Sequence, residues 1–261
     1  MNVLNDIILI HPTKCAGTTI SQQLFRLKGL SENTSAFYSG HYFNAFFQKN
    51  IRFFYFIFHS RNFIRYFFYL SFYLICFYFK LRNLFSNIKY GLTFASGSIQ
   101  HFTYKQWHKI KEINTNSICI SVVAHPQNRI VSSFYFLGYD KHYTFLEFLQ
   151  KIQNGSLLSS IPFLGFRAII KQHLTPMYDY LLLENDPKNI DTILKKESLD
   201  NDWEKFCKKY MLEYKPLQWI NKTKTLTNWK NLYSTYPEAS QLVYEIYKKD
   251  FEYLGYQIIL E

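Results

Sequence analysis

The segment ILIHPTKCAGTTI, residues 8–20, decides the fold expected for this chain of 261 residues. It begins within the apolar run IILIH, which is typical of a buried strand in a parallel sheet. A turn containing Lys14 and Gly17 follows, and two threonines then begin a helix that places Ile20 and Leu24 at helical spacing. A strand, a tight turn and a helix start in this order are typical of a site that binds an anion.

The turn combines several groups that attract negative charge. The first N–H groups of a helix have no partner within it, and the helix dipole adds positive potential there. Gly17 allows a ligand to approach the backbone, Thr18 and Thr19 can donate hydroxyl groups, and Lys14 can neutralise a second anionic group. The plain alternative is an ordinary strand–helix connection with an incidental lysine.

The position of the lysine argues against a nucleotide-dependent kinase. The ATP- and GTP-binding loop has the pattern Gly-x-x-x-x-Gly-Lys-Ser/Thr, in which the lysine follows the glycines. Here Lys14 precedes Gly17, and the later strand SICISVVA ends without a carboxylate for Mg²⁺. The kinase hypothesis is therefore weak, and no metal ion is expected.

The rest of the chain alternates between strand-like and helix-like segments. Strands are predicted for SAFYSGH, SICISVVAHP and MYDYLLLE. Helices are predicted for YKQWHKIKE with Thr103 as its N-cap, and for NRIVSSFYFLG, TFLEFLQKI, NDWEKFCKKYML and PEASQLVYEIYKKDFEYLGY. This alternation predicts one α/β domain over residues 1–261, with three layers and a central, mainly parallel sheet.

Residues 51–90 form an aromatic and basic insertion with 17 aromatic side chains, for which a helical structure is expected. No acidic residue occurs between Glu32 and Glu112, so much of the net charge of +11 falls here. The longest uncharged apolar segment, residues 66–79, is shorter than the roughly 20 residues that cross a bilayer. The insertion is either a helix on an anionic membrane surface or a hairpin packed on the domain. Base-composition bias could also explain the residue types, and nucleic-acid binding is only weakly indicated.

The cysteines and the N-terminus predict a cytoplasmic protein. The four cysteines are widely spaced and form no CxxC pair, so neither a zinc site nor a disulfide framework is indicated. The sequence MNVLNDIILIHP lacks the basic start and long apolar stretch of a secretory signal. The insertion allows peripheral contact with the inner face of the cell membrane.

The segment HPTKCAGTT, residues 11–19, resembles the 5′-phosphosulfate loop of the sulfotransferases, commonly His-x-Pro-Lys-x-Ala/Gly-Gly-Thr-Thr/Ser. The proline has moved to Pro12, and Thr13 stands at its usual place. These enzymes use 3′-phosphoadenosine 5′-phosphosulfate (PAPS) as sulfate donor, on a three-layer fold similar to that of the P-loop proteins. The resemblance implies that Lys14 stabilises charge on the bridging oxygen as the sulfuryl group leaves. The donor-binding residues that it implies in this loop are Lys14, Cys15, Ala16, Gly17, Thr18 and Thr19.

A second segment, VVAHPQNRIVSSFYFLGYD, resembles the 3′-phosphate segment of the same family, typically Arg-Asp-Pro-x-x-Arg-x-x-Ser-x-Tyr-x-Phe. Four residues fall on the expected offsets, namely Pro126, Arg129, Ser132 and Phe136. The first arginine of the pattern, the usual ligand of the 3′-phosphate, is Ala124 here, and His125 replaces the aspartate. The resemblance implies donor contacts from Arg129 and Ser132, with His125 or Arg129 compensating for the missing arginine. Weak donor binding or an inactive protein are the alternatives.

Two histidines are candidates for the catalytic base. His41, in FYSGHYF, resembles the Gly-His segment of the uronyl and heparan sulfate 2-O-sulfotransferase branch, where the histidine is the base. The absence of carboxylates from residue 33 to residue 111 also favours a histidine. His101, in IQHFTYKQW, is the second candidate, since related bacterial sulfotransferases have similar segments.

The C-terminal segments QHLTPMYDYLLLE, ESLDNDWEKF, WINKT and YEIYKKDFEYLGY resemble the bacterial and glycan-modifying branch of the family. The resemblance therefore implies transfer of a sulfuryl group to a carbohydrate hydroxyl, in a surface glycan or its lipid-linked precursor. The competing hypothesis is a degenerate, non-catalytic relative that binds a membrane or a polyanion, which Ala124 favours. The sequence does not indicate an oligomeric state.

Overall fold

The computed structural model describes residues 7–27, 101, 103–106, 118–161, 164–182, 190–219 and 229–260. Within these ranges the strands are β1 (Ile7–Ile10), β2 (Ile118–Val123) and β3 (Thr192–Lys195). The helices are α1 (Gly17–Leu27), α2 (Pro126–Phe136), α3 (Phe145–Gln153), α4 (Ser156–Ser159), α5 (Leu164–Leu174), α6 (Met177–Leu181), α7 (Leu199–Lys209), α8 (Lys230–Thr235), α9 (Glu238–Ile246) and α10 (Lys248–Leu254). The predicted strand SAFYSGH, the candidate base His41 and the insertion 51–90 lie outside the described residues.

The three strands form one parallel sheet in the order β1-β2-β3. Ile7 pairs with Ile118 on one side of β2, and Ile120 pairs with Thr192 on the other. All three strands run in the same direction, so their carboxyl ends lie along one edge of the sheet. This observation confirms the predicted α/β fold with a parallel sheet.

The first hydrophobic core surrounds this sheet. The central strand β2 is buried along nearly its whole length, as expected for a parallel strand covered on both faces. Ile8 and Ile10 of β1 pack in the same cluster as Leu194 of β3 and the fully buried Trp203 of α7. Burial of these apolar side chains is the main stabilising contribution to the sheet.

A second, largely aromatic core lies between α2, α3 and the C-terminal helices. Phe134 of α2 contacts Phe145 and Phe148 of α3, with ring centroids 5.4 and 5.0 Å apart. Tyr233 meets Phe145 edge to face at 5.5 Å, and Tyr247 is also buried in the cluster. Some of the many aromatic residues of the chain therefore have an ordinary packing role.

The structure corrects the prediction of a strand at MYDYLLLE, which is wrong. Met177–Leu181 is helix α6, because the buried carboxylate of Asp250 accepts hydrogen bonds from the N–H groups of Met177 and Tyr178 at 2.9 and 2.7 Å. A carboxylate at this position caps the start of a helix and complements its dipole. The third strand lies instead at Thr192–Lys195, a segment for which no strand was predicted.

Helix boundaries were predicted with mixed success. The predicted C-terminal helix is two helices, α9 and α10, separated at Tyr247. The predicted cap at Thr103 is confirmed, since its hydroxyl accepts a hydrogen bond from the N–H of Gln106 at 3.2 Å. In the described part of the chain, no helix has both the length and the apolar character that a membrane span requires.

Candidate functional site

The turn between β1 and α1 lies at the carboxyl edge of the sheet and has an unusual backbone. Lys14 and Ala16 have φ angles of 65° and 62°, the left-handed region that residues with a Cβ rarely adopt. Each such residue costs roughly 1–3 kcal/mol, so the surrounding contacts must hold the turn in this conformation. We refer to residues 11–17 as the anion turn.

Gly17 is required by the close packing of His11. A Cβ atom at position 17 would overlap the imidazole ring of His11. The carbonyl of His11 lies 2.9 Å from Nδ1 of His101, and the two rings meet at a centroid distance of 4.6 Å. Both histidines are buried, so one contact chain runs from the start of α1 to His101.

His101, the second candidate base, therefore contacts the anion turn directly. A carbonyl oxygen only accepts hydrogen bonds, so Nδ1 of His101 carries the proton in its bond to His11. In the neutral imidazole, Nε2 is then the basic nitrogen. The structure thus brings one of the two predicted bases to the turn, while the position of His41 is not described.

Lys14 belongs to the anion turn and is half-buried, and its ammonium lies over the ring of Phe136, 4.1 Å from the centroid. Burial, and to a smaller extent the positive charge of Lys196, lowers the pKa of Lys14 to about 8. Lys196 follows β3, so the carboxyl edge brings two cations from separate strands into electrostatic contact.

Cys15 and the two threonines complete the predicted donor loop. Cys15 is fully buried, and burial raises the pKa of its thiol to about 11, which makes it an apolar packing residue rather than a reactive thiolate. Thr18 is half-buried, whereas Thr19 is buried and its N–H donates to the carbonyl of Ala16 at 3.0 Å. Thr18 is the better placed of the two hydroxyls for a ligand.

Arg129 is fully buried and its guanidinium is directed into the protein. Nε donates to the carbonyl of Thr13 at 3.1 Å, and one terminal nitrogen donates to the carbonyls of Thr175 and His173 at 2.8 and 3.3 Å. This geometry favours a structural role, in which Arg129 braces the anion turn against the start of α6. The direct contact with the donor stays a prediction.

His125 precedes α2 and fills the place of the aspartate in the family pattern. Its ring atom Nε2 lies 2.9 Å from the carbonyl of Gln257, and its backbone N–H donates to a carboxylate oxygen of Glu197 at 2.7 Å. Nδ1 is buried and has no hydrogen-bond partner among the described residues. Burial lowers the pKa of His125 below its usual value, which keeps the ring neutral near pH 7.

The remaining residues of the second segment are also buried. Ala124 is completely buried, and its N–H lies 3.4 Å from the sulfur of Met177. Ser132 lies on α2 and is 4% exposed. The segment therefore offers few exposed donors, and the unpartnered Nδ1 of His125 is its distinctive polar atom.

Sequence reasoning missed the supports of the turn. His173 stacks on Phe136 with centroids 4.7 Å apart and planes 15° apart, and its carbonyl accepts hydrogen bonds from Arg129 and Ser133. No local pattern marked His173, while Phe136 was noted only for its offset in the family segment. Within the described ranges, no group of three or more His, Cys, Asp or Glu side chains is arranged to hold a metal ion.

The fold and the site together define an α/β protein with a left-handed strand–helix turn, which carries Lys14, at the carboxyl edge of a parallel sheet. The sequence profile of the sulfotransferase family matches residues 4–257, nearly the whole chain, and the chain belongs to that family. Membership supports sulfotransfer activity in general and confirms the family predicted from the two motifs. No curated protein and no solved structure matches the chain significantly.

Proposed function

We propose that the protein transfers a sulfuryl group from PAPS to a hydroxyl group of a carbohydrate. The observation that carries this proposal is the placement of Lys14 in a left-handed turn at the start of α1, within a chain that matches the sulfotransferase family. PAPS is the donor that sulfotransferases generally use, and it presents a phosphosulfate at one end and a 3′-phosphate at the other.

The anion turn fits the phosphosulfate end of the donor. Gly17 begins α1, so backbone N–H groups and the positive end of the helix dipole are available there. Lys14 supplies a cation for charge that develops when the bond to sulfur breaks, and Thr18 supplies a half-buried hydroxyl. Each of these groups acts by position and charge, as expected for transfer through a loose transition state.

The 3′-phosphate end is assigned to α2, with His125 immediately before the helix and Ser132 in its second turn. In this proposal Nδ1 of His125 takes up a proton and donates to the phosphate, which replaces the arginine missing at Ala124. Arg129 contributes indirectly, because it fixes Thr13 and thereby the anion turn.

The proton of the acceptor hydroxyl requires a base. His41 is the base that the family resemblance favours, and His101 is the alternative whose contact with the turn the structure describes. The carbohydrate acceptor is inferred from the basic, aromatic insertion 51–90, which suits acidic sugars and stacking on sugar rings. We place the reaction in the cytoplasm, with the same insertion touching an anionic membrane.

Sulfate transfer from radiolabelled PAPS to a glycan extract tests the proposal. We expect transfer by the parent protein and a loss of about 100-fold or more in the Lys14→Met variant. Lys151→Met is the matched control, because Lys151 also lies over an aromatic ring, Tyr143, but on α3. Equal activity of Lys14→Met and the parent would contradict the proposal.

Ala124 favours one second candidate, a non-catalytic protein that binds polyanions. Calorimetry with 3′-phosphoadenosine 5′-phosphate, the desulfated donor product, separates the two. Binding of this nucleotide together with measurable transfer supports the enzyme. The absence of heat at high micromolar concentrations, together with binding to anionic vesicles, supports the non-catalytic candidate.

A further inference from the structure

A stack of three side chains lies next to the anion turn. The Lys14 ammonium lies 4.1 Å from the centroid of the Phe136 ring, and Phe136 stacks on His173 at 4.7 Å. Phe136 is the last residue of α2, while His173 lies near the end of α5. The stack therefore connects the turn after β1 with two helices that are distant from it in the sequence.

The aromatic ring offsets an environment that disfavours the charge on Lys14. The face of an aromatic ring carries negative potential, which stabilises a nearby cation, most strongly where water is excluded. Burial and the positive charge of Lys196 act in the opposite direction, and His173 beneath the ring is neutral because burial keeps its pKa well below the usual value.

The ring is itself held in a fixed position. Nδ1 of His173 lies 2.9 Å from the carbonyl of Ile169, and the carbonyl of His173 accepts hydrogen bonds from Arg129 and Ser133, each at 3.3 Å. His173 is buried, so its imidazole packs in a fixed position against the ring of Phe136. Arg129 also donates to the carbonyl of Thr13, and it thus links His173 to the anion turn.

We propose that Phe136, supported by His173, is a positioning residue that holds the Lys14 ammonium charged beside the anion turn before the donor arrives. The inference rests on the proposed function, because it assigns the ring a part in readying Lys14 for the phosphosulfate. When the anionic oxygens of the donor enter the turn, they compete with the ring for the ammonium. The ring then stays in contact with the apolar stem of the lysine.

The pKa of Lys14 in the donor-free protein provides the first test. It can be measured by competitive acetylation of the purified full chain across a pH series, followed by mass spectrometry of the peptide containing Lys14. Phe136→Leu keeps an apolar side chain but removes the π face, so we expect the pKa of Lys14 to fall by about 0.5–1 unit. Phe136→Tyr keeps the face and should leave the pKa within about 0.2 units of the parent.

Tyr143→Leu is the matched control, because it removes the ring under Lys151, whose ammonium lies 5.0 Å from the ring centroid. It should leave the pKa of Lys14 unchanged. Phe136→Met serves as a second variant without a π face if Phe136→Leu does not fold. An unchanged pKa of Lys14 in a folded variant of either kind would overturn the proposal.

The pH profile of sulfate transfer provides the second test. We expect Phe136→Leu to shift the basic limb of kcat/KM to lower pH by the same 0.5–1 unit or so, and Phe136→Tyr to restore it. A merely structural role for Phe136 would lower activity equally at every pH, without shifting the limb, and that result would overturn the proposal. The acetylation measurement does not require activity. Absence of sulfotransfer would therefore refute the proposed function, while the measured pKa of Lys14 would still decide whether Phe136 stabilises its charge.

Discussion

The two strand–helix junctions of the site differ in the hydrogen-bond donors that they could offer to the two ends of the proposed donor. The junction of β1 and α1 offers backbone N–H groups, with Gly17 at the start of the helix. At the junction of β2 and α2 the first helical residue is Pro126, and proline has no backbone N–H. The backbone N–H of His125 is already bonded to Glu197.

The difference shows why one junction follows the family pattern closely and the other departs from it. A backbone site depends on a turn conformation, and few sequences adopt the left-handed angles seen at Lys14 and Ala16. A side-chain site needs only a donor of suitable charge nearby, so an arginine can be exchanged for a histidine. We therefore expect substitutions at the first junction to have the larger effects.

Gly17→Ala should have the largest effect, because the new methyl group overlaps the ring of His11. We expect sulfate transfer to fall below detection and the free energy of unfolding to fall by about 3 kcal/mol. Denaturant unfolding and the radiolabel assay measure both quantities. Gly155→Ala is the control, since its Cβ meets nothing within 4 Å and only the positive φ of 73° is strained. Equal losses in the two variants would contradict the role of the His11 contact.

Lys14→Met should lower transfer by about 100- to 1000-fold and yet stabilise the protein. The pKa of Lys14 is lowered from 10.5 to about 8 on folding, so the folded state binds fewer protons between these values. Parent stability should therefore rise as the pH increases from about 8 to 10.5.

The methionine variant lacks this dependence of stability on pH and should be more stable than the parent near pH 7 by about 1–3 kcal/mol. This range already allows for the partial exposure of the lysine side chain, which weakens the effect of burial. Unfolding in urea at neutral and at alkaline pH measures the difference between the variant and the parent. A variant that is less stable than the parent at neutral pH would contradict the burial of the Lys14 charge.

Arg129→Lys tests whether Arg129 supports the fold at the second junction or binds the sulfate donor directly. A lysine ammonium cannot reproduce the guanidinium bonds to Thr13, His173 and Thr175, so we expect a loss of about 2–4 kcal/mol in unfolding free energy. Affinity of the folded variant for 3′-phosphoadenosine 5′-phosphate should change by about twofold or less. Unchanged stability with an affinity loss of tenfold or more would instead make Arg129 a direct ligand.

His125→Gln should have the smallest effect, a loss of about 3- to 10-fold in affinity for the same nucleotide. Burial lowers the pKa of His125, and a bound phosphate would raise it again, so binding should take up a proton. Affinity should therefore rise as the pH falls towards 6 in the parent. Adenosine 5′-phosphate, which lacks the 3′-phosphate, is the control ligand, and the same pH dependence with both nucleotides would rule out the contact.

Local sequence signals correctly predicted the first part of the fold. The apolar run before His11 became β1, the threonines after Gly17 lie in α1, and Pro126 marks the end of β2 and the start of α2. Each of these signals acts within a few residues, which is why it can be recognised in a single sequence.

The failures involve partners that are distant in the chain. The composition of MYDYL, with two tyrosines and no β-branched residue, is compatible with a strand or a helix. The segment is helical because Asp250, 73 residues away, caps it. Arg129 matched a family offset for a donor ligand, but its bonding partner Thr13 lies 116 residues away. The support of Phe136 by His173 had no signal in the sequence at all.

The sequence by itself determined the class of fold, the anion turn and the family, because strand periodicity, helix starts and a short motif are local properties of the chain. Only the tertiary structure decided which charged groups remain available to a ligand. It buried Arg129 against carbonyl groups, left Nδ1 of His125 without a described partner and set Lys14 over Phe136. The physical reason is that the state of a charge depends on its desolvation and its neighbours, and packing sets both.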